Sequence, residues 1–161
     1  MNRLDAISAA VDRWSMHLVF VLGFSMTLVV ALQVLFRYGL NQSLFWSEEL
    51  ARFLLVWLTF LGASCAYRRR MHPGVDVLTA RMPESLRRGC AVFVHLLCLA
   101  FFAVMVVYGA SFAYFVRLQI SPALNLPKWA VLSAIPVSGA ACILHGLSLL
   151  VKDLSEPSGD C

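Results

Sequence analysis

The sequence predicts an all-α integral membrane protein with four transmembrane helices, and three observations carry that expectation. Four long apolar stretches, residues 14–36, 50–67, 89–116 and 129–151, fill most of the chain. A helix rises about 1.5 Å per residue, so about 20 apolar residues cross the hydrocarbon core of a bilayer. Three of the four exceed that length without a charged residue. Composition agrees: 60% of residues are hydrophobic and 14% charged, with a mean hydropathy of +0.78. A water-soluble domain of 161 residues could not hide that much apolar surface. Four spans leave no room for a second domain, so residues 1–161 are expected to form one membrane domain. No signal peptide is expected, because the first stretch is too long for one and no small-residue cleavage site follows it.

The third observation is the placement of the basic residues. Arg3 and Arg13 precede span one; Arg68, Arg69, Arg70, Arg81, Arg87 and Arg88 separate spans two and three; Lys152 follows span four. If all four stretches cross, those nine share one side, and only Arg37, Arg52, Arg117 and Lys128 lie on the other. The excess predicts both termini in the cytoplasm. The net charge of +4 is therefore mainly a topology signal, and the basic loop over 68–88 is suited to touching anionic lipid. It gives little support to a nucleic-acid partner.

Along the chain, Leu4, Ile7, Val11 and Trp14 recur at helical spacing, with Arg3, Asp5, Asp12 and Arg13 on other faces. This predicts a short N-terminal amphipathic helix, which either lies flat at the interface or extends span one beyond the lipid. Span one ends in Arg37 and Tyr38, suited to snorkelling and interface anchoring. Span two, at about 48–67, has an interfacial lead-in over 43–52. Ser43 or Ser47 is placed to cap its helix, Trp46 marks interface depth, and Glu48 stands four residues before Arg52 in the favourable order. Arg37, Glu48, Glu49 and Arg52 are read as an ion-pair cluster facing protein, which would clamp the first loop and offer an edge to a partner.

Gly62 and Ala66 on span two form a small-xxx-small pair. Gly23, Thr27 and Ala31 repeat the theme on span one, Gly109 and Ala113 on span three, and Ser138, Cys142 and Gly146 on span four. Such residues let helix backbones approach closely in a compact bundle or on a surface packed against another membrane protein. In the second loop His72 and Asp76 flank Pro73-Gly74. Two candidate ligands are too few for a metal site, so capping and local hydrogen bonding are the expected roles. The third loop, 117–128, reads as a short proline-stiffened hairpin. Trp129 anchors the start of span four, and Pro136 is expected to kink it.

Chemistry is sparse. Cys65, Cys90, Cys98, Cys142 and Cys161 include no CxxC pair, and no disulfide framework is expected. His17, His95 and His145 fall within spans. His95 and His145 lie at similar depth and present the pattern of two axial ligands of a b-type haem, although hydrogen bonding between helices is the preferred role. No span carries Asp, Glu, Lys or Arg near its middle, unlike a self-sufficient secondary transporter. Walker, HExxH and nucleophile-elbow motifs are absent. The chain reads as a non-enzymatic subunit, without a cofactor, whose work is packing.

The run Leu35-Phe-Arg37-Tyr38-Gly-Leu-Asn41-Gln-Ser-Leu-Phe-Trp46-Ser-Glu48-Glu49-Leu-Ala-Arg52 resembles the signature of the small membrane subunit of tripartite ATP-independent periplasmic (TRAP) transporters. The likeness continues through Trp57-Leu-Thr-Phe-Leu-Gly62-Ala, His72 and Asp76 after an arginine cluster, Ser121-Pro-Ala-Leu124, Leu126-Pro127-Lys-Trp129 and Ile135-Pro136-Val. It covers about residues 15–150 and most of the chain. The resemblance implies a division of labour. A periplasmic binding protein captures an organic acid, a large multi-span permease carries it inward on an ion gradient, and the small subunit braces the permease in the bacterial inner membrane. The rival expectation from the residues is a haem-binding anchor of an oxidoreductase, with His95 and His145 as ligands.

Overall fold

The computed structural model describes residues 3–69 and 84–155. It contains α1 (Arg3–Gly39), α2 (Phe45–Arg68), α3 (Glu84–Phe115), the short α4 (Lys128–Leu132) and α5 (Ala134–Ser155). Four segments are long and apolar enough to cross a membrane: Arg3–Gly39, Phe45–Arg68, Val92–Phe115 and Lys128–Lys152. The expected spans are all present, and α2 starts three residues before its predicted beginning at 48. His72 and Asp76 lie outside the described residues, as does Cys161.

α1 is one continuous helix of 37 residues, about 55 Å long at 1.5 Å per residue. Of the two courses open to the N-terminal segment, the structure takes the second: residues 3–13 extend span one and do not form a separate flat helix. The cause is on its polar face. Ser8, Asp12 and Ser15 stand at i, i+4 and i+7 and are buried, whereas Leu4, Ile7 and Trp14 are exposed. The amphipathic pattern is real, with its polar stripe facing protein.

That inversion holds across the molecule. The fully enclosed side chains include Ser8, Ser47, Ser64, Ser121, Ser138 and His145, while Phe20, Phe24, Phe93, Phe101 and Phe112 face outward. In lipid, large apolar side chains gain nothing by clustering, and small residues let helices approach. Several buried serines satisfy their hydroxyls on their own helix. Ser64 donates to the Leu61 carbonyl at 2.8 Å and Ser138 to that of Ala134 at 2.6 Å. Ser47 donates to the Leu44 carbonyl at 2.7 Å. The expected serine cap of α2 is thus not formed: Leu44 holds the N-cap position without a side-chain bond.

The main packing runs α1 on α2, α2 on α5 and α5 on α3, with α1 also reaching α5. α3 is the outboard helix. It passes Leu99, Phe102, Val106 and Gly109 along α5, where they meet Gly146, Gly139 and the Ile135-Pro136 pair in antiparallel order. Span four is broken: α4 ends at Leu132 and α5 begins at Ala134. Pro136 falls in the first turn of α5, where its missing N–H costs least. The Ala130 carbonyl at the break accepts Ser133 Oγ at 2.8 Å and the Trp57 indole N–H of α2 at 3.2 Å.

Candidate functional site

Polar chemistry gathers at the two ends of the helices. One end carries the N-terminus of α1 and the C-termini of α2 and α5. There Arg68 lies 3.6 Å from Asp5 Oδ1 and 4.0 Å from Asp12 Oδ2, and it donates to Ser8 Oγ. Arg69 approaches Asp12 Oδ2 at 3.5 Å, and Ser148 donates to Asp5 Oδ1 at 3.4 Å. Ser8 Oγ is also 2.8 Å from His145 Nδ1. A guanidinium only donates, so Ser8 Oγ accepts from Arg68 and shares one proton with His145 Nδ1, the donor depending on the imidazole tautomer. The network joins α1, α2 and α5, and the Cys65 thiol adds a weak bond to the Asp12 carbonyl at 3.9 Å.

His145 is fully buried. Beside it a Cβ on Gly146 would stand 3.0 Å from Leu99 and 3.2 Å from the Tyr67 hydroxyl. α5 is therefore closed against α3 and α2 at this depth, with no slot for a porphyrin plane. The haem-anchor expectation finds no support in this close packing, and His145 Nδ1 makes an interhelical hydrogen bond with Ser8. No group of three or more His, Cys, Asp or Glu residues that could hold a metal occurs among the described residues. Cys65, Cys90, Cys98 and Cys142 are free thiols.

At the opposite end the four-charge cluster forms only in part. Glu48 and Arg52 pair at 3.4 Å with both side chains largely in the open, a geometry worth less than about 1 kcal/mol. Arg37 makes no ion pair among the described residues; its guanidinium lies 5.9 Å from the Tyr38 ring centroid. The two belong to the C-terminal end of α1 and are exposed. Glu49 has a different partner, because its Oε2 accepts the backbone N–H groups of Ala123 at 2.9 Å and Leu124 at 3.0 Å. It thereby pins the loop between α3 and α4 onto the start of α2.

That loop is the expected hairpin. Ser121 N–H donates to Leu126 at 2.9 Å and Lys128 N–H to Gln119 at 2.9 Å, with an isolated antiparallel bridge between Ile120 and Pro127. Asn125 takes φ 52°, a left-handed value that asparagine tolerates, and Leu126 N–H reaches the buried Ser121 Oγ at 3.3 Å. Trp46 and Trp129 are partly exposed at this end. Replacing Glu49 with alanine frees two amides from a charged acceptor. Amide exchange at Ala123 and Leu124 is expected to rise about tenfold or more, the equivalent of about 1.5 kcal/mol, with the four spans unchanged. Unaltered protection at both amides would refute this role.

Gly62 is the odd member of the small-residue set. A Cβ there would meet nothing within 4 Å, whereas Gly109, Gly139 and Gly146 would each bring one to 3.0 Å or less from a neighbouring helix. Along α2, Glu48, Arg52, Thr59 and Ala63 give an exposed face that is mainly small or polar, with Phe45 and Leu55 its large apolar members.

Four apolar helices long enough to cross a membrane, tied by polar contacts at both ends, define a multi-pass membrane protein. The family model of the tripartite ATP-independent periplasmic transporters, DctQ component, matches residues 26–156, and the chain belongs to that family. A putative TRAP transporter small permease protein of Haemophilus influenzae is 30% identical over 114 residues, 69% of this chain and 63% of that protein. The C4-dicarboxylate TRAP transporter small permease protein DctQ of Vibrio cholerae is 38% identical over 77 residues, 48% of this chain and 33% of that protein. The sialic acid TRAP transporter permease protein SiaT of H. influenzae is 42% identical over 69 residues, 43% of this chain and 11% of the relative. The chain thus spans less than two thirds of each of these relatives.

Proposed function

We propose that this chain is the small permease subunit of a tripartite ATP-independent periplasmic transporter of a bacterial cytoplasmic membrane, with both termini inside. It braces a large multi-span permease during ion-gradient-driven uptake of an organic acid delivered by a periplasmic binding protein. The observation that carries the bracing role is the open face of α2. The outer faces of α1 and α3 are lined with Phe20, Phe24, Phe101, Tyr108 and Phe112, the surface that lipid accepts. The α2 face around Gly62 offers small and hydroxyl side chains beneath an exposed Glu48–Arg52 pair, the surface that another helix accepts.

Arg37, Trp46, Glu48, Arg52, Gly62 and Trp129 are assigned to or beside that contact, and Glu49 and Pro136 to the fold that presents it. The isethionate TRAP transporter permease protein DctMQ of Oleidesulfovibrio alaskensis supports the reading. This chain matches 120 of its residues, only 19% of its length, as expected of a small subunit that works beside a larger body. The relatives' names carry different substrates, C4-dicarboxylate, sialic acid and isethionate among them. Substrate choice is therefore assigned to the other two components.

The test is co-purification of the tagged chain from its native membrane in mild detergent. An equimolar large permease is expected. Gly62→Leu should leave the isolated chain as stable as wild type, within about 0.5 kcal/mol, yet lose most of the permease and of uptake. Substrate preference should stay the same. Full permease recovery with Gly62→Leu would move the interface elsewhere, and recovery of redox proteins would overturn the function.

A further inference from the structure

The network at the N-terminal end of α1 turns both acids of that helix inward. Asp5 pairs with Arg68, the buried Asp12 pairs with Arg68 and Arg69, and α1 holds no other carboxylate. The opposite face of the same turns therefore carries cations alone. Arg3 and Arg13 are exposed and enter no ion pair among the described residues. Trp14 is 73% exposed, and His17, one turn beyond Arg13, is exposed as well. Ala10, Arg13, His17, Phe20 and Phe24 follow one another at spacings of three and four, which places them in one line along the helix. From the N-terminal end, that line passes from small to basic to imidazole to aromatic.

Depth and continuity name the occupant of this face. Trp14 and Tyr38 stand on one continuous helix, about 36 Å apart at 1.5 Å per residue. That separation matches a hydrocarbon core of about 30 Å with an aromatic ring at each interface. Arg13 therefore sits at headgroup level, and His17 lies one turn, about 6 Å, closer to the hydrocarbon. The line then continues into the outer face of α1, where the exposed Phe20 and Phe24 form the surface that lipid accepts. A lipid whose chains lie on those rings has its phosphate beside Arg13. An arginine fork matches phosphate oxygens, an imidazole N–H is a further donor, and an indole suits the boundary between apolar and wet surroundings. Ala10, short and on the water side of Arg13, leaves room for the headgroup. We propose that this face of α1 binds the phosphate of an anionic phospholipid, with Arg13 as the contacting cation, His17 as the second donor and Trp14 as the flank. The site rests on the assignment of the outer face of α1 to lipid, and it does not depend on where the large permease meets α2.

The experiment is native mass spectrometry of the full chain released from nanodiscs of phosphatidylglycerol and phosphatidylcholine in equal parts. Wild type is expected to retain phosphatidylglycerol in about fivefold preference, the effect of one interfacial cation. Arg13→Gln should lose most of that preference, and His17→Gln part of it. Neither side chain holds a hydrogen bond or ion pair among the described residues, so thermal unfolding of both variants should match wild type. Arg52→Gln removes the same charge from the exposed Glu48–Arg52 pair at the other end of the molecule and should keep the preference. Equal retention of the two lipids by wild type, an unchanged preference in Arg13→Gln, or an equal fall in Arg52→Gln would overturn the site. Co-purification separates this site from the bracing role. Arg13→Gln should recover the large permease in full; loss of the permease would give this face to the protein partner and overturn the lipid assignment. Full permease recovery with Gly62→Leu would move the brace and leave the lipid site standing.

Discussion

Arg68→Met is expected to cost the protein about 3 kcal/mol and to release the N-terminal turns of α1 from α2 and α5. Arg68 touches both Asp5 and Asp12 and also donates to Ser8. Its loss leaves the Asp12 carboxylate, 12% exposed, with Arg69 as its remaining partner, and Asp5 with Ser148. Removing one member of a buried pair costs about 3–5 kcal/mol, because the other charge stays behind. The lower end applies here, since the Asp5 side chain is 42% exposed and water screens that half of the interaction.

The double variant separates this mechanism from simple loss of packing. Arg68→Met with Asp12→Asn removes the stranded charge, and it should recover about 1 kcal/mol or more relative to the single variant. Thermal unfolding in detergent, followed by tryptophan fluorescence, reads both, because Trp14 lies two residues beyond Asp12 on α1. A single variant within about 0.5 kcal/mol of wild type would mean that the network is ornamental. Equal losses in single and double variants would assign the effect to packing.

This network also marks the limit of what the sequence discloses. The four spans were legible because each is a long apolar run, and length alone separates a membrane helix from a soluble one. Asp5 and Asp12 were legible as lying off the apolar face, but Ser8 and Ser15 were not singled out, and periodicity gives a face without its direction. A reading suited to water or to an interface turns it outward, and the structure turns it inward. Arg68 and Arg69 were visible as topology signals, yet their aspartate partners stand more than fifty residues away, beyond any local pattern. Glu49 was singled out for its charge, while its partners are backbone amides of Ala123 and Leu124. A main-chain donor has no residue type to recognise. Arg37 was grouped with the others by proximity in sequence, and the geometry of the helix end sends it to Tyr38 instead.

The small residues show the same limit from the other direction, and Gly109 gives the sharpest test. Gly62 and Gly109 look alike in sequence, each in an apolar helix with a small residue four positions on. In space they differ. A Cβ at Gly109 would stand 2.9 Å from Ile135 Cγ2 and 3.2 Å from Pro136 Cδ. The isoleucine can turn, but the proline ring cannot, because it is locked into the backbone of the first turn of α5.

α3 depends chiefly on that neighbour. Its contacts at Leu99, Phe102, Val106 and Gly109 recur at spacings of three and four, the seam of two helices packed nearly parallel or antiparallel to each other, and at each level a glycine of α5 or α3 removes the obstructing side chain. Gly109→Leu inserts four carbons at the end of this seam beside the helix break. Overpacking of this kind costs about 1–3 kcal/mol, and the upper figure is expected because α3 has no second helix of comparable contact to hold it. Gly109→Ala should fall between, since rotation of Ile135 relieves part of the clash and the improved helix propensity offsets about another 1 kcal/mol. Unfolding curves for Gly109→Leu and Gly62→Leu, measured side by side on the isolated chain, are expected to differ by about 2–3 kcal/mol. If the two leucines cost the same, the close approach of α3 to α5 is not what holds the outboard helix.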